Sequence, residues 1–103
     1  MAKVTRLVAE SRLGDVPENK RFLCYDGETI NNLRELRIAL KDMSDETFNY
    51  HSNEVKSDFG NWVRDVIGDE KLSKDLRKSY NRFQAAKSVA DRIAWLESKL
   101  VAK

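Results

Sequence analysis

His51, the only histidine of the chain, is the residue type best suited to proton transfer. An imidazole can gain or lose a proton near neutral pH, so it can act as a general base or a pH switch. Asp58 follows seven residues later, about 10.5 Å further along a straight helix, which is too far for contact. A helix break at residues 52–54 would let the two side chains meet as a helix cap or polar latch. Because a catalytic dyad needs a third group and none is evident, we expect a structural pair and no catalytic residues.

Cys24 is the only thiol of the chain, so an internal disulfide is excluded. It would become a reactive thiolate only if a partner such as His51 or a helix N-terminus lowered its pKa. A free cysteine is more often a small buried apolar side chain. We therefore expect Cys24 in the core. The unpaired thiol agrees with a reducing compartment and predicts a cytoplasmic location.

The acidic residues Asp42, Asp45 and Glu46 are the only cluster that resembles a cation site. Asp45 and Glu46 are better explained as favourable charges in the first turn of a helix. A calcium loop needs more oxygen ligands in a fixed pattern, and one histidine with one cysteine cannot complete a zinc site. Glycine-rich phosphate loops and the nucleophile elbow of hydrolases are missing from the sequence. The sequence predicts no metal, no cofactor and no enzymatic activity.

A basic stripe is the alternative functional feature. Its members recur every three or four residues with one flanking arginine: Lys71, Lys74, Arg77, Lys78 and Arg82. Such a stripe can contact phosphates, which would indicate an RNA- or ribosome-associated factor. The commoner explanation is the solvated face of an ordinary helix. Residues 21–70 carry eleven acidic and six basic side chains, whereas residues 71–103 carry nine basic and three acidic ones. The acidic body weakens the case for nucleic acid.

The C-terminal segment carries the feature that favours a protein partner. Its apolar residues follow heptad spacing: Ala86, Val89, Ile93, Leu96 and Leu100. Trp95 lies about 130° from the centre of that stripe, on a polar face, where an isolated tryptophan is a frequent interface anchor. One helix over residues 70–103 would be about 45–50 Å long, whereas a domain of this size has a radius of gyration near 13 Å. Either the helix breaks near residues 79–81, or its end projects towards a partner.

The elements that position these residues are mainly helical. Asp26-Gly27 between two β-prone runs predicts a hairpin at about residues 21–30, with positive φ at both central residues. Asn32, Ser44 and Asp69 are predicted helix caps. The apolar positions between residues 45 and 67 share one face of a single helix, with a kink allowed at 52–54. A further stripe is predicted to run from Leu72 and Leu76 through Tyr80 and Phe83.

The predicted fold is an irregular bundle of about five helices with that small hairpin. Residues 1–20 form an N-terminal helix and linker, and residues 21–78 form the core domain. Residues 79–103 form a heptad-like helix that packs on the core or on a partner. A chain of 103 residues with 41% hydrophobic and 35% charged residues is a single globular domain. No run of about 20 apolar residues and no targeting signal is visible, so we expect no membrane association.

Four short motifs follow one another along the chain. The first two are Phe22-x-x-x-Asp26-Gly27 and Leu33-x-Glu35-Leu36. The others are Asp45-Glu46-x-Phe48-x-x-His51 and Asp58-Phe59-x-x-Trp62-Val63-x-x-Val66-x-Gly68-Asp69. Together they resemble a family of small, mainly helical, largely archaeal domains of unknown function. The resemblance covers residues 22–76 and implies a compact helical domain, but no activity. We therefore expect a non-enzymatic protein-interaction or self-association module that uses Trp95, Val89, Ile93, Leu96 and Leu100.

Overall fold

The computed structural model describes residues 4–101 and is 64% helical, with six α-helices and a two-stranded antiparallel sheet. The helices are α1 Arg6–Leu13, α2 Leu33–Asp42, α3 Asp45–His51, α4 Asp58–Trp62, α5 Glu70–Arg77 and α6 Arg82–Ser98. A short 3-10 helix covers Glu18–Lys20, and a π-helical segment, Val63–Ile67, continues α4. The strands are β1 Phe22–Leu23 and β2 Thr29–Ile30. This confirms the predicted mainly α fold with a small N-terminal hairpin.

Each of the six α-helices begins after a side chain that accepts a hydrogen bond from the backbone amide three residues further on. The six capping residues are Thr5, Asn32, Ser44, Ser57, Asp69 and Asn81. Three of them were predicted from the sequence. Caps are predictable because the donor and the acceptor lie within one turn of each other.

The hairpin differs from the predicted two-residue turn. Phe22 pairs with Ile30, and Leu23 pairs with Thr29. Only Gly27 has a positive φ, +94°, and its amide donates to the carbonyl of Cys24 over 2.9 Å. The loop is thus one residue longer, with a tight turn that ends on glycine, as in other three-residue hairpins.

The predicted association seam is part of the hydrophobic core of this chain. Val89, Ile93 and Leu96 are buried, and Leu100 is half-buried against the same core. Two polar contacts at opposite ends, Arg34–Glu97 and Arg82 with the Lys41 carbonyl, show that α2 and α6 run antiparallel. α1 adds Ala9 and Leu13 to this core, and all are members of one buried cluster. The prediction that these seam residues bind a partner is therefore wrong for this fold, since other helices of the chain cover them.

Residues 45–67 do not form one helix. A tight turn at 52–57 interrupts them, closed by an antiparallel bridge between Ser52 and Ser57. Within it the Asn53 amide donates to the Lys56 carbonyl over 3.0 Å. Val55, predicted on the apolar face, is 92% exposed because the turn carries it away from the helix.

A second break, at residues 78–81, separates α5 from α6. The stripe predicted from Leu72 to Phe83 is therefore interrupted: Leu72 and Leu76 are buried, whereas Tyr80 and Phe83 are exposed. Because of this break, no helix over residues 70–101 is too long for the domain. α6 has 17 residues and is about 25 Å long, and the longest dimension of the molecule is 44 Å.

Gly60 permits a close approach between α4 and α5. A Cβ atom there would lie 2.8 Å from the Ser57 hydroxyl and 3.3 Å from the Ser73 carbonyl oxygen. The Ser73 hydroxyl also donates to the Gly60 carbonyl over 2.8 Å. This glycine is therefore a packing requirement.

Candidate functional site

His51 and Asp58 meet across the turn at residues 52–57. The bridge between Ser52 and Ser57 places the residues just outside it face to face. His51 Nδ1 lies 3.0 Å from Asp58 Oδ2, and His51 Nε2 accepts a hydrogen bond from the Tyr25 amide over 2.9 Å. We call the His51–Asp58 pair the latch. It joins the loop of the hairpin to the helices α3 and α4.

The hydrogen bonds of the latch assign the tautomer of His51. Because Nε2 accepts from a backbone amide, Nε2 carries no proton, and Nδ1 is the atom that donates to Asp58. The ring is 5% exposed and stands edge-on to Phe22 at 5.0 Å between centroids. Both ring nitrogens are occupied, so this arrangement offers no free base to a substrate. The geometry gives no support to an enzyme that uses His51.

Asp58 is held in its charged form. Burial alone would raise the pKa of this carboxyl, but hydrogen bonds from His51 and Lys56, together with the charge of Lys56, lower the pKa below its ordinary value. The Lys56 ammonium lies 3.0 Å from Asp58 Oδ2. Lys56 thus balances the negative charge of Asp58 at the outer end of the latch.

Cys24 is buried beside the latch but does not belong to it. The two nitrogens of His51 bond to Asp58 and to the Tyr25 amide, so no imidazole is available to deprotonate the thiol. Burial raises the pKa of Cys24, and the charge of Asp26 raises it further. The thiol is accordingly unreactive, as the sequence predicts for a core cysteine.

Two tyrosines stack at the surface directly above the latch. The rings of Tyr25 and Tyr50 lie 4.3 Å apart between centroids and are inclined by 22°. Tyr25 is 57% exposed and Tyr50 is 51% exposed. We call this pair the tyrosine platform. Lys56 extends from Asp58 over the Tyr50 ring, 4.6 Å from its centroid, and so links the platform to the latch.

The latch fixes both halves of the platform. The tight turn of the hairpin leaves the Tyr25 amide without a backbone acceptor, and His51 supplies one. Tyr50 precedes His51 and packs edge-on against its ring at 4.9 Å. Leu23 adds exposed apolar surface on the outward side of the same hairpin. The platform is therefore preorganised by contacts beneath it.

The tyrosine platform was not predicted from the sequence, although the sequence shows that both tyrosines point outward. Phe22 and Cys24 point inward, so the residues between and after them, Leu23 and Tyr25, must point outward. In α3 the buried positions are Thr47, Phe48 and His51, which share one side of the helix and put Tyr50 on the outer face. Nothing local in the sequence shows that the two outward tyrosines touch.

The predicted basic stripe extends over two helices, α5 and α6. Arg82 belongs to α6, where its guanidinium binds Asp45 at 2.8 Å. Lys71 pairs with Asp75, and Arg77 donates to Asn61. The remaining members, Lys74 and Lys78, are exposed and make no ion pair within residues 4–101. The five basic residues therefore do not lie on one continuous helix, because α5 ends at Arg77, and phosphate binding by them stays a prediction.

Trp95 lies at the surface of α6, 38% exposed, as its position on the polar face predicts. Two cations flank its ring: the Arg92 guanidinium is 4.2 Å and the Lys99 ammonium 4.8 Å from the centroid. Arg92 also binds Asp69, a fully buried carboxylate, at 2.8 Å. Intramolecular contacts therefore already cover much of this ring.

Three surface cavities of the described chain lie away from the latch. One of about 580 Å³ lies between the hairpin and α2, and one of about 390 Å³ lies between α2 and α6. A third, of about 400 Å³, lies where α5 meets α6. Within residues 4–101, no three side chains of the metal-ligating types come together. No helix in that range has the length and hydropathy to cross a membrane.

Comparison with known proteins gave no match: no family model, no curated protein and no solved structure matches this chain. The resemblance to small archaeal domains of unknown function stays a prediction. The function must be argued from the geometry of the platform and the latch.

Proposed function

We propose that this protein is a non-enzymatic, cytoplasmic interaction module that binds a protein partner through the tyrosine platform. The observation that carries the proposal is the stacked, half-exposed pair Tyr25–Tyr50 held by a buried hydrogen-bonded histidine. Stacked tyrosines supply a large amphipathic contact area, and tyrosine is enriched at binding hot spots.

Preorganisation supports this proposal. Ordering a flexible side chain at an interface costs about 0.5–1.5 kcal/mol. In this chain the latch fixes the Tyr25 backbone, and the Tyr50 ring lies between its partner ring and His51. The side chains of the platform are therefore ordered when the chain folds. A smaller ordering cost remains when a partner binds, so more of the contact free energy contributes to affinity.

The surroundings of the platform indicate the kind of surface that would bind it. Leu23 of the hairpin and Val55 of the turn at 52–57 are exposed apolar side chains close to the tyrosines in the chain, and Lys56 provides one cation. Apolar and aromatic contacts with a polar edge are typical of protein interfaces. A nucleic-acid strand would instead meet the excess negative charge of residues 21–70.

A photocrosslinking experiment tests the proposal without knowledge of the partner. A benzophenone amino acid replaces Tyr50 in one variant and Leu7 in a control, because Leu7 is also exposed, at 76%, but lies in α1. After irradiation in the native host, we expect discrete adducts from position 50 that are missing from position 7. Adding Tyr25→Ala to the position-50 variant should reduce those adducts. If position 50 gives no adduct, or the same adducts as position 7, the proposal is wrong.

RNA binding is the second candidate, and one observation favours it. Lys78, Tyr80 and Lys87 line the cavity of about 400 Å³ between α5 and α6, and Tyr80 is 88% exposed. An exposed ring between cations can stack on a base. RNA retention at low salt that is lost with Lys78→Glu would support this candidate. RNA binding that is unchanged by that substitution, or no binding at low salt, would exclude it.

A further inference from the structure

The outer face of α6 carries a second heptad series that residues 4–101 leave largely exposed. Its members are spaced by four, three, four and three residues: Phe83, Lys87, Ala90, Ala94 and Glu97. At 100° per residue they fall within an arc of about 80°, centred about 110° from the buried stripe. Phe83 is 58% exposed, and Ala94 is also exposed. We call this series the outer α6 face.

The outer α6 face borders a groove between α6 and α2. The groove has a volume of about 390 Å³, and Ala90 and Ala94 line its α6 side. Ile38 of α2 lines the opposite side and is 55% exposed. Arg34 and Glu97 close one end with an ion pair of 2.8 Å. The small alanines leave room for another helix to approach closely.

We infer that the outer α6 face binds the same face of a second copy, with the two α6 helices antiparallel. This inference concerns the self-association expected of the C-terminal helix and does not involve the tyrosine platform. A two-fold interface requires a patch that is complementary to itself, so that residue i meets j and j meets i. The outer α6 face meets that requirement in one register.

In that register each step forward along one α6 helix meets a step backward along the other, so the two residue numbers of every facing pair have the same sum. Ala90 faces Ala94 of the other copy, and Lys87 faces Glu97 of the other copy. Phe83 then faces the position of Val101, which follows the helix and is 63% exposed. A parallel arrangement would place Lys87 on Lys87, so the charges select the antiparallel one.

The dimensions of α6 are consistent with this pairing. Lys87 and Glu97 are ten residues apart, about 15 Å along the helix, so the two ion pairs would flank the dyad at about 7.5 Å. Lys87 also pairs with Asp91 within its own chain, and Glu97 pairs with Arg34. Exposed ion pairs of this kind are weak, so sharing these side chains with a second copy costs little.

A charge-swap series tests the inference in the full-length protein by sedimentation equilibrium. Lys87→Glu places two carboxylates opposite each other, and Glu97→Lys places two ammonium groups opposite each other. Each single variant should dimerise about tenfold more weakly than the wild type, which corresponds to about 1.4 kcal/mol. An equimolar mixture of the two should form heterodimers, and the Lys87→Glu/Glu97→Lys double variant should regain the wild-type affinity.

Two matched control variants distinguish an effect of facing charges in the interface from an effect of the net charge of the protein. Lys74→Glu in α5 and Glu54→Lys in the turn at 52–57 make the same changes in charge at exposed positions away from α6. Both should leave dimerisation unchanged. Ala94→Arg fills the centre of the interface without touching the core, and should give a folded monomer by circular dichroism and sedimentation.

The outcomes that overturn the inference are equally specific. A wild type that stays monomeric up to about 1 mM has no such interface, since that concentration corresponds to only about 4 kcal/mol of binding free energy. A dimer that Lys74→Glu weakens as much as Lys87→Glu depends on net charge alone. A double variant that fails to regain affinity shows that Lys87 and Glu97 do not face each other. Loss of the platform by Tyr25→Ala should not change any of these results.

Discussion

Replacement of His51 by alanine should destabilise the fold and release the tyrosine platform. The substitution removes the acceptor of the Tyr25 amide, and an unsatisfied buried donor costs about 1–3 kcal/mol. It also removes a 5%-exposed ring that packs against Phe22 and Phe59 at centroid distances of 5.0 and 5.2 Å. Truncating a buried side chain of this size costs about 2–5 kcal/mol.

Because the two losses share the same cavity, they are not additive, and we expect a total of about 3 kcal/mol. A small domain has a free energy of unfolding of about 5–15 kcal/mol, so the variant should still fold. Urea unfolding followed by circular dichroism measures the change. Tyr50→Ala is the matched control, since it removes a half-exposed ring next to His51 and should cost less than about 1 kcal/mol.

Hydrogen exchange then tests the local assignment. The Tyr25 amide bonds to His51, whereas the neighbouring Cys24 amide bonds to the Glu28 carbonyl over 2.8 Å. In the alanine variant, exchange at Tyr25 should accelerate more than exchange at Cys24. A stability loss below about 1 kcal/mol, or equal acceleration at both amides, would refute the argument that His51 anchors the loop.

Substitutions at three further positions test the structure. Asp69→Ala leaves the half-buried Arg92 uncompensated and should cost about 3–5 kcal/mol in urea unfolding. Asp69→Asn removes the same charge but keeps the cap, so it should cost nearly as much, and a far smaller loss for Asp69→Asn would contradict a charge effect. The pKa of Asp58 is lowered in the folded state, so its charge stabilises the fold above about pH 4 and this contribution is lost as the pH falls further. The stability gap between wild type and Asp58→Asn should therefore shrink from pH 7 to pH 3, and a constant gap would disprove the assignment. Gly60→Ala should lower the free energy of unfolding by about 1–3 kcal/mol, because the alanine Cβ would lie 2.8 Å from the Ser57 hydroxyl. A variant that melts at the wild-type temperature would contradict this clash.

The sequence predicted the local features of this protein correctly, namely three helix caps and the position of the hairpin. Asn32, Ser44 and Asp69 cap helices as predicted, and the hairpin lies within the predicted residues. These features depend on atoms only a few residues apart, so the chemistry of a short window decides them. The mainly α fold follows because helical periodicity is also a local property.

The sequence predicted contact between His51 and Asp58 only on the condition that the helix breaks between them. Seven residues separate the two members of the latch, which is too far along a straight helix and close across a turn. The weak helix formers at 52–54 allow the break, but the break is stabilised by distant contacts. The Tyr25 amide, 26 residues away, supplies one of them.

The heptad series of α6 shows what only the tertiary structure decided. Heptad spacing in a sequence defines an apolar face, but it does not tell whether the same chain or another chain covers that face. In this fold α2 and α1 cover Val89, Ile93 and Leu96. The sequence thus determined which residues share a side of each helix. Packing among distant segments decided which side is buried, because burial depends on the summed contacts of the whole chain.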